Sequence, residues 1–380
     1  MFVVKNSKYP IGLDISDTSL KAVQLDRTGD KISIQALSRI ELSEGIIING
    51  EIKNQELFKK NIDALLLKPK YGFFSTRNVV ACLPETKTYI KLIEIDNTPN
   101  PIADIIENDM ENHIPIPASE LYYDWQIIDK NTEKISVLIG AAPKDIVSQY
   151  ISALKFAKFS INALEIESAA IVRSLLQEES PKYGEKRENN YAIIDIGANR
   201  ASMIIYAKNT IVLAISVPIS GKDVTERIAK ALEITNDQAE KAKIICGLDK
   251  NKAQGIVSDI LAGNIKDLNS KIKNALNFFH NHYPALGDIN KIILCGGGAT
   301  IKNLSTLIKE THNIETELGN MSINIAGLGK ILDKEFTEEL SLSLGEADSK
   351  DSKTISIKQN TNLVYTTAFG LAMRNVYLDM

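Results

Sequence analysis

Nowhere in the 380 residues does an apolar run reach the roughly 18–20 residues that a membrane span needs. The opening Met1-Phe2-Val3-Val4-Lys5 lacks the charged-then-apolar layout of a secretory leader, so a cytoplasmic location is expected. Cysteine is scarce. Cys82, Cys246 and Cys295 stand singly, without metal-ligand spacing, and read as buried, inert thiols. The four histidines, His113, His280, His282 and His312, show no ligand spacing either. Ser-His-Asp groupings, His-Glu-x-x-His and Walker-type Gly-x-x-x-x-Gly-Lys-Ser/Thr are all missing, which removes the simplest hydrolase, zinc-protease and P-loop readings. Charge of one sign is also lacking: 44 basic against 48 acidic residues leave −4, giving no reason to expect nucleic acid as a partner. What remains is an ordinary globular composition, long enough for about two to three domains.

The sequence does contain a repeat. Ile11-Gly12-Leu13-Asp14-Ile15-Ser16-Asp17-Thr18-Ser19-Leu20-Lys21 is an apolar run ending in a carboxylate, then a polar turn, then a second apolar run. Ala192-Ile193-Ile194-Asp195-Ile196-Gly197-Ala198-Asn199-Arg200 repeats the pattern, with its aspartate 181 positions after Asp14, close to half the chain. Two Asp-tipped hairpins predict two related halves facing one site. A tight turn after a strand points consecutive backbone N–H groups outward, a nest for phosphate oxygens. Ser16, Thr18 and Ser19 add hydroxyls, Lys21 a cation, and Gly197 allows close backbone approach. Asp14 and Asp195, converging from the two halves, suit a hydrated Mg²⁺, which binds through few protein oxygens. Gly296-Gly297-Gly298 follows the buried strand 291–295, and Glu240 and Lys243 share a helix face. Taken singly, each has a plainer reading: turn aspartates satisfying amides, a glycine turn, a solvated ion pair. The two hairpins together with the glycine turn favour a nucleotide site.

In chain order, strands are expected over 11–25 and 31–40, a helix over 56–67 and a strand over 78–83. Lys87–Ile95 reads as a strand, and a helix capped by Asn100 runs until Pro115 and Pro117 stop it. Strands at 122–128 and 134–141 and a helix over 145–159 complete an inserted αββα unit. A strand and helix follow over 161–178, then a polar linker over 180–190. The second hairpin spans 191–217. Helices are expected at 225–232, after the Thr235/Gln238 capping box up to Gly247, at 256–283, 301–310 and 362–376. The acidic, serine-rich 333–353 reads as a mobile insertion.

These features together resemble the actin-like ATPase superfamily and, within it, the PilM family of type IV pilus assembly. Besides the two hairpins, the resemblance rests on Asn112-His113-Ile114-Pro115-Ile116-Pro117, Tyr123-Asp124-Trp125-Gln126, Gly221 through Thr225, Ala239-Glu240-Lys241-Ala242-Lys243 and Ala368-Phe369-Gly370-Leu371-Ala372-Met373-Arg374. It implies an α/β, actin-like (ribonuclease H-like) two-lobed fold. The first-lobe core would take 1–83 and 161–189, an inserted subdomain 84–160, and the second lobe 190–380, with an outer subdomain at about 218–286. It implies ATP between the lobes and Mg²⁺ near Asp14 and Asp195. Ser16, Thr18 and Ser19 would meet the phosphates from one side and Gly197 and Ala198 from the other. Glu240 and Lys243 would meet ribose and adenine, with Gly296–Gly298 on the adenine side. The family's task is scaffolding: a groove beside the inserted subdomain holds the cytoplasmic N-terminal tail of a PilN-type inner-membrane protein. Other pilus components and self-association complete the implied contacts.

Two residues depart from the family pattern. Ser16 stands where glycine is typical, and Asp17 places a negative charge beside the phosphates, weakening nucleotide binding unless it points outward or meets the metal. No residue in the first half stands out to position an attacking water, so hydrolysis is expected to be slow or absent. The competing readings are an FtsA-like division scaffold or polymer, expected to add an amphipathic membrane helix after the last core helix, and a small-molecule kinase. The kinase would need a substrate-activating carboxylate. Asp96, Asp104 and Asp109 are of the right type but lie in surface-like contexts.

Overall fold

In a computed structural model, residues 9–29, 31–177, 189–325, 337–344, 353–360 and 362–377 are described. The first half opens with β1 (Ile11–Ile15), β2 (Ser19–Thr28) and β3 (Lys31–Glu41), followed by the two-residue strands β4 (Ile47–Ile48) and β5 (Glu51–Ile52). The helix α1 (Gln55–Leu67) starts where the Asn54 side chain accepts from the Leu57 N–H. β6 (Tyr71–Gly72) and β7 (Asn78–Leu83) lead to β8 (Tyr89–Asp96), α2 (Ile102–Asp109), β9 (Leu121–Lys130), β10 (Lys134–Pro143) and α3 (Lys144–Phe156). β11 (Ser160–Ile166) and α4 (Glu167–Leu175) close this half.

The second half repeats the plan: β12 (Tyr191–Ile196), β13 (Ala201–Ala207), β14 (Thr210–Val217), then α5 (Gly221–Leu232), α6 (Asn236–Cys246) and the long α7 (Ile256–His282). β15 (Lys291–Cys295), α8 (Leu304–His312) and β16 (Glu315–Leu318) follow, then β17 (Thr337–Leu344), β18 (Lys353–Asn360) and α9 (Thr366–Tyr377). One sheet runs β11-β7-β1-β2-β3-β6, and the other begins β16-β15-β12-β13-β14. Strand for strand the order is the same, with β1 and β12 each antiparallel to the next strand and parallel to β7 and β15 respectively. The duplication read from two aspartates is therefore a duplication of whole sheets, and the α/β two-lobed architecture follows from it.

A core shared by both sheets is filled by α4 and α9, with Val23, Leu37, Ile171, Ile193, Ile204 and Phe369 among its buried residues. The contacts are backbone to backbone. A Cβ on Gly370 would fall 1.8 Å from the Ala170 carbonyl oxygen, and one on Gly12 2.3 Å from the Ala368 oxygen, so both positions need glycine. Next to this crossing, buried Glu165 on β11 accepts two bonds from Arg173 on α4 (2.9 and 3.0 Å) and one from Arg374 on α9 (2.6 Å).

The inserted strands β8, β9 and β10 with α2 have their own core of Ile93, Ile95, Ile106, Met110, Val137 and Ile139. Its last helix does not share it. α3 buries Ile146, Tyr150 and Leu154 against Phe58, Ile62 and Val79 of the first half. The second sheet continues past β14 into β8, β10 and β9. The joint is the pair Leu213–Lys91, reinforced by the Tyr283 hydroxyl donating to the Leu92 carbonyl at 3.0 Å.

Several local expectations shift. Asn100 is not the cap of α2: Pro101 holds that position without a side-chain bond, its fixed φ already setting the first turn. The helix expected over 301–310 begins at Leu304 because Asn303 takes a left-handed backbone, φ 66°, after a 3₁₀ turn over Gly297–Thr300. Part of the insertion expected to be mobile, 337–344, is a strand paired with 353–360, and the rest of 333–353 lies outside the described residues, apart from Lys353. Most of the linker at 180–190 also lies outside them. The Thr235/Gln238 capping box and the Gly247 stop stand as read.

Candidate functional site

The first hairpin tip is wired internally. Asp14, buried at the end of β1, accepts from Lys21 Nζ at 2.7 Å through Oδ2. Ser16 Oγ donates to the Ser19 carbonyl (2.9 Å) and accepts from the Ser19 N–H (3.2 Å), so these two hydroxyl residues first of all build the turn. Asp17, in the wall of the cleft, has its carboxylate engaged: it accepts from the Asn49 N–H (2.9 Å) and the Gly50 N–H (2.8 Å). The charge expected to repel phosphates is thus offset by two backbone amides.

The second tip follows the same plan with different chemistry. The Gly197 N–H closes the turn on the Arg200 carbonyl at 2.9 Å, and Ala198 O accepts from the Lys222 N–H at 2.9 Å. Asp195 is pushed up to about 6, chiefly by burial, with Lys21 opposing and the Asp14 charge adding to the rise. Lys21 ends above its ordinary value, because the charge and hydrogen bond of Asp14 outweigh the burial that would lower it. A feature invisible in the sequence appears at both tips. Cys82 on β7 and Cys295 on β15 each point a thiol at the neighbouring aspartate, at 3.7 Å from Asp14 Oδ1 and Asp195 Oδ1. Burial, and then those carboxylates, push both thiols well up, so they stay neutral donors.

The glycine turn leans on the second aspartate. Gly296 takes φ 78°, and a Cβ there would fall 2.2 Å from Asp195 Oδ1. On α6, buried Lys243 donates to the Gly221 carbonyl (3.0 Å), Thr225 Oγ1 (2.8 Å) and Glu240 Oε2 (2.6 Å). An ammonium has three donors. All three are used, so Lys243 fixes the start of α5 and the Glu240 carboxylate, leaving Glu240 as the member of the pair with free acceptor capacity.

Two cavities meet between the halves. One, of about 150 Å³, is lined by Asp14, Ser16, Asp17, Glu85, Glu167 and Asp195 among others. The other, of about 740 Å³, is lined by Ser19, Lys21, Arg39, Gly221, Glu240, Lys243 and Gly296–Gly298 among others. Thr18, Gly197 and Ala198 belong to both. Every residue expected to meet the nucleotide or its metal lies in one wall or the other. Across the mouth Lys222 of the second half pairs with Glu44 of the first. Asp96 pairs instead with Lys134 and Asp109 with His113, and neither lines this cleft.

Glu85 and Glu167 are the residues sequence reasoning missed. Glu85 follows the buried β7 as Asp14 ends β1, a signal that was readable. Its carboxyl is pushed up to about 7 by burial first, with Asp195 adding and the Ser168 N–H opposing, and its Oε2 has no hydrogen-bond partner. Glu167, on the first turn of α4, accepts from Thr367 at 3.3 Å and is held well above the carboxylate range by burial, then by Asp14 and Asp195.

A separate groove of about 760 Å³ lies beneath the inserted sheet. Tyr89, Pro115, Ile116, Pro117, Pro143 and Ile146 give it an apolar lining, and Glu51, Lys87, Glu120, Lys144 and Asp145 stand along it. Lys144 is held by the Ser119 carbonyl at 2.7 Å and lies over the Tyr122 ring.

Fold and paired turns together define an actin-like ATPase fold. In shape the chain is similar to the PilM-PilN type IV pilus biogenesis complex (TM-score 0.73, 21% identity, 97% of this chain and 98% of that one). It is also similar to MreB 5 of Spiroplasma citri bound to AMPPNP (TM-score 0.50, 14% identity, 85% and 95%). In sequence it is 22% identical to the cell division protein FtsA of Buchnera aphidicola subsp. Baizongia pistaciae, over 91% of each chain. The family description of the type IV pilus assembly protein PilM matches residues 12–345, and the chain belongs to that family. Among the described residues no helix is long and apolar enough to cross a membrane.

Proposed function

We propose that this protein is an ATP-binding scaffold of type IV pilus assembly, with Mg-ATP in the cleft and the N-terminal tail of a PilN-type inner-membrane protein in the groove. The observation that carries the reading is the placement of Pro115-Ile116-Pro117. This family-specific stretch forms an extended apolar wall of a groove large enough for a short peptide. The neighbour at TM-score 0.73 is a PilM-PilN complex, which supports the choice of partner. Such a partner would bring the scaffold to the inner face of the membrane.

The cleft suits a divalent cation. Asp14, Glu85, Glu167 and Asp195 crowd one cavity with Lys21 as the ammonium beside them, and burial first, then the neighbouring carboxylates, raise Asp195 and Glu167. Among the described residues no group of three or more His, Cys, Asp or Glu side chains forms a ready-made metal site. Mg²⁺ takes one or two carboxylates and completes its shell with water and phosphate oxygens. Asp14 and Asp195 would hold it, and it would neutralise phosphate charge. The turns at 16–19 and 197–200 supply backbone donors, and Glu240 offers an acceptor to a ribose hydroxyl. Glu85, whose carboxyl is pushed up to about 7 chiefly by burial, has the proton affinity suited to a general base, whereas Glu167, held well above the carboxylate range by burial first, is a poor one.

Titration with a fluorescent ATP analogue in Mg²⁺ tests the cleft. Asp195→Ala is expected to lower affinity at least tenfold with the melting transition retained, and unchanged affinity would refute the metal assignment. A labelled peptide of the partner's cytoplasmic tail tests the groove. Ile116→Asp is expected to abolish its binding, and full binding by that variant would place the tail elsewhere.

A further inference from the structure

The cleft and the groove share a wall one chain thick. Asn49, Gly50, Pro84 and Glu85 line the cleft, Glu51 and Lys87 line the groove, and Thr86 lines both. Gly50 and Glu51 are neighbours in sequence, so anything that moves Gly50 moves the groove. Asp17 is what holds Gly50. Both carboxylate oxygens are engaged, Oδ1 by the Gly50 N–H at 2.8 Å and Oδ2 by the Asn49 N–H at 2.9 Å. Asn49 and Gly50 both take left-handed backbone, φ 51° and 79°, which lets two successive amides converge on one carboxylate. Bonds of this charge-assisted kind are about twice as strong as neutral ones.

The far side of the loop is equally well fixed. The Gly50 carbonyl accepts from the Tyr150 hydroxyl on α3 at 2.8 Å, and the Ile52 N–H donates to Gln149 Oε1 on the same helix at 2.9 Å. A Cβ on Gly50 would fall 2.5 Å from Pro84, so the loop also rests on the segment that carries Glu85 to Lys87. Glu51 then joins Lys87 at 2.9 Å and Lys53 at 2.6 Å, setting the charge pattern at the groove's edge. Between the tip of the first hairpin and the groove there is no mobile spacer, only hydrogen bonds, an ion pair and van der Waals contact.

We propose that Asp17 is a positioning residue that transmits the state of the phosphate hairpin, through Asn49-Gly50-Glu51 and Lys87, to the tail-binding groove. This rests on the reading of cleft and groove given above. A phosphate group that reorders the 16–19 turn shifts the Asp17 carboxylate, and the two amides bound to it follow. The charge that looked unfavourable for nucleotide binding is instead the coupling element.

The test uses the full chain at saturating Mg-ATP and without nucleotide. Two readouts are taken: hydrogen exchange over 46–54 and 84–90, and the affinity of a fluorescein-labelled peptide carrying the cytoplasmic tail of the PilN-type protein. For the unaltered protein, Mg-ATP is expected to change exchange in both segments and shift the peptide Kd by at least about fivefold, the lower end of common allosteric couplings. Asp17→Ala is expected to bring the Kd ratio near one and remove the exchange response over 46–54. Asp17→Asn, which keeps one acceptor, should fall between. Glu51→Gln, at the other end of the relay, should keep the exchange response at the 46–50 side and lose most of the Kd ratio. If Asp17→Ala does not fold, Glu51→Gln decides. A wild-type Kd ratio of one with both ligands bound overturns the coupling alone, as does an unchanged ratio in Asp17→Ala or, where that variant cannot be used, in Glu51→Gln. Failure of the wild type to bind ATP or peptide overturns the functional reading and the coupling with it.

Discussion

Replacing Gly296 by alanine should separate the cleft's geometry from general stability. Gly296 holds φ 78° and ψ 174°. That region is open essentially to glycine, and forcing another residue into it costs about 1–3 kcal/mol. The new Cβ would also fall 2.2 Å from Asp195 Oδ1 and 2.7 Å from the Ile196 carbonyl oxygen. Backbone cannot yield cheaply there, so the carboxylate swings away from Asp14. The neighbouring glycine is an internal control. At Gly297 a Cβ would meet only Val364 Cγ1, at 3.6 Å, in ordinary contact. Gly297→Ala should therefore change stability by less than about 0.5 kcal/mol. Urea denaturation should show Gly296→Ala destabilised by about 1–3 kcal/mol. Fluorescent-nucleotide titration should show Mg-ATP affinity reduced at least tenfold, or about 1.4 kcal/mol. If the two alanine variants behave alike in both assays, Asp195 is not held by the glycine turn and the reasoning fails.

The Glu165 clamp gives a second prediction. Arg173→Met strips two of three bonds from a carboxylate that is only 8% exposed, and should cost about 3 kcal/mol in urea denaturation. Arg374→Met, which removes the more exposed partner, should cost about 1 kcal/mol, and equal losses would refute the assignment of Arg173 as the main partner. A third concerns pH. Glu85 loses its proton near 4.5 when unfolded and near 7 when folded, so the folded state loses stability as pH rises between those values. Glu85→Gln cannot ionise. It should exceed the wild type by roughly 1–3 kcal/mol at pH 8 and by much less at pH 5, and equal gains at both would show that Glu85 titrates normally.

The two hairpins were legible because their signal is local: an apolar run, a carboxylate, a polar turn. So was the start of α6, where Thr235 and Gln238 carry both halves of a capping box. The cleft residues were readable as types, but their division of labour was not. On spacing alone Lys243 reads as half of a solvated ion pair with Glu240, and only the family resemblance makes it a ligand contact; the pair forms, but Lys243 is buried and also held by Gly221 and Thr225 of another helix. Cys82 and Cys295 are the buried, inert thiols the sequence suggests, but their contacts with Asp14 and Asp195, 68 and 100 residues away, were not legible. Asp17 looked like a defect for the same reason: Asn49-Gly50 is readable as a hairpin turn, but nothing in the sequence shows that its amides meet a carboxylate 32 residues earlier. Asn100 misled in the opposite way: it is a good cap by type, but Pro101 already fixes the turn.

The joint between β14 and β8 has a mechanical consequence. Covalently, the inserted strands hang from the first half at β7 and α3. Through the Leu213–Lys91 rung and the Tyr283–Leu92 bond, they are bolted to the second. A body fastened to two hinged plates cannot follow either one freely. Any rotation of one half against the other would have to shear that joint and the packing of Leu92 and Leu138 beside it. A ligand that drew the two hairpin tips together would work against that seam as well as against the cleft itself.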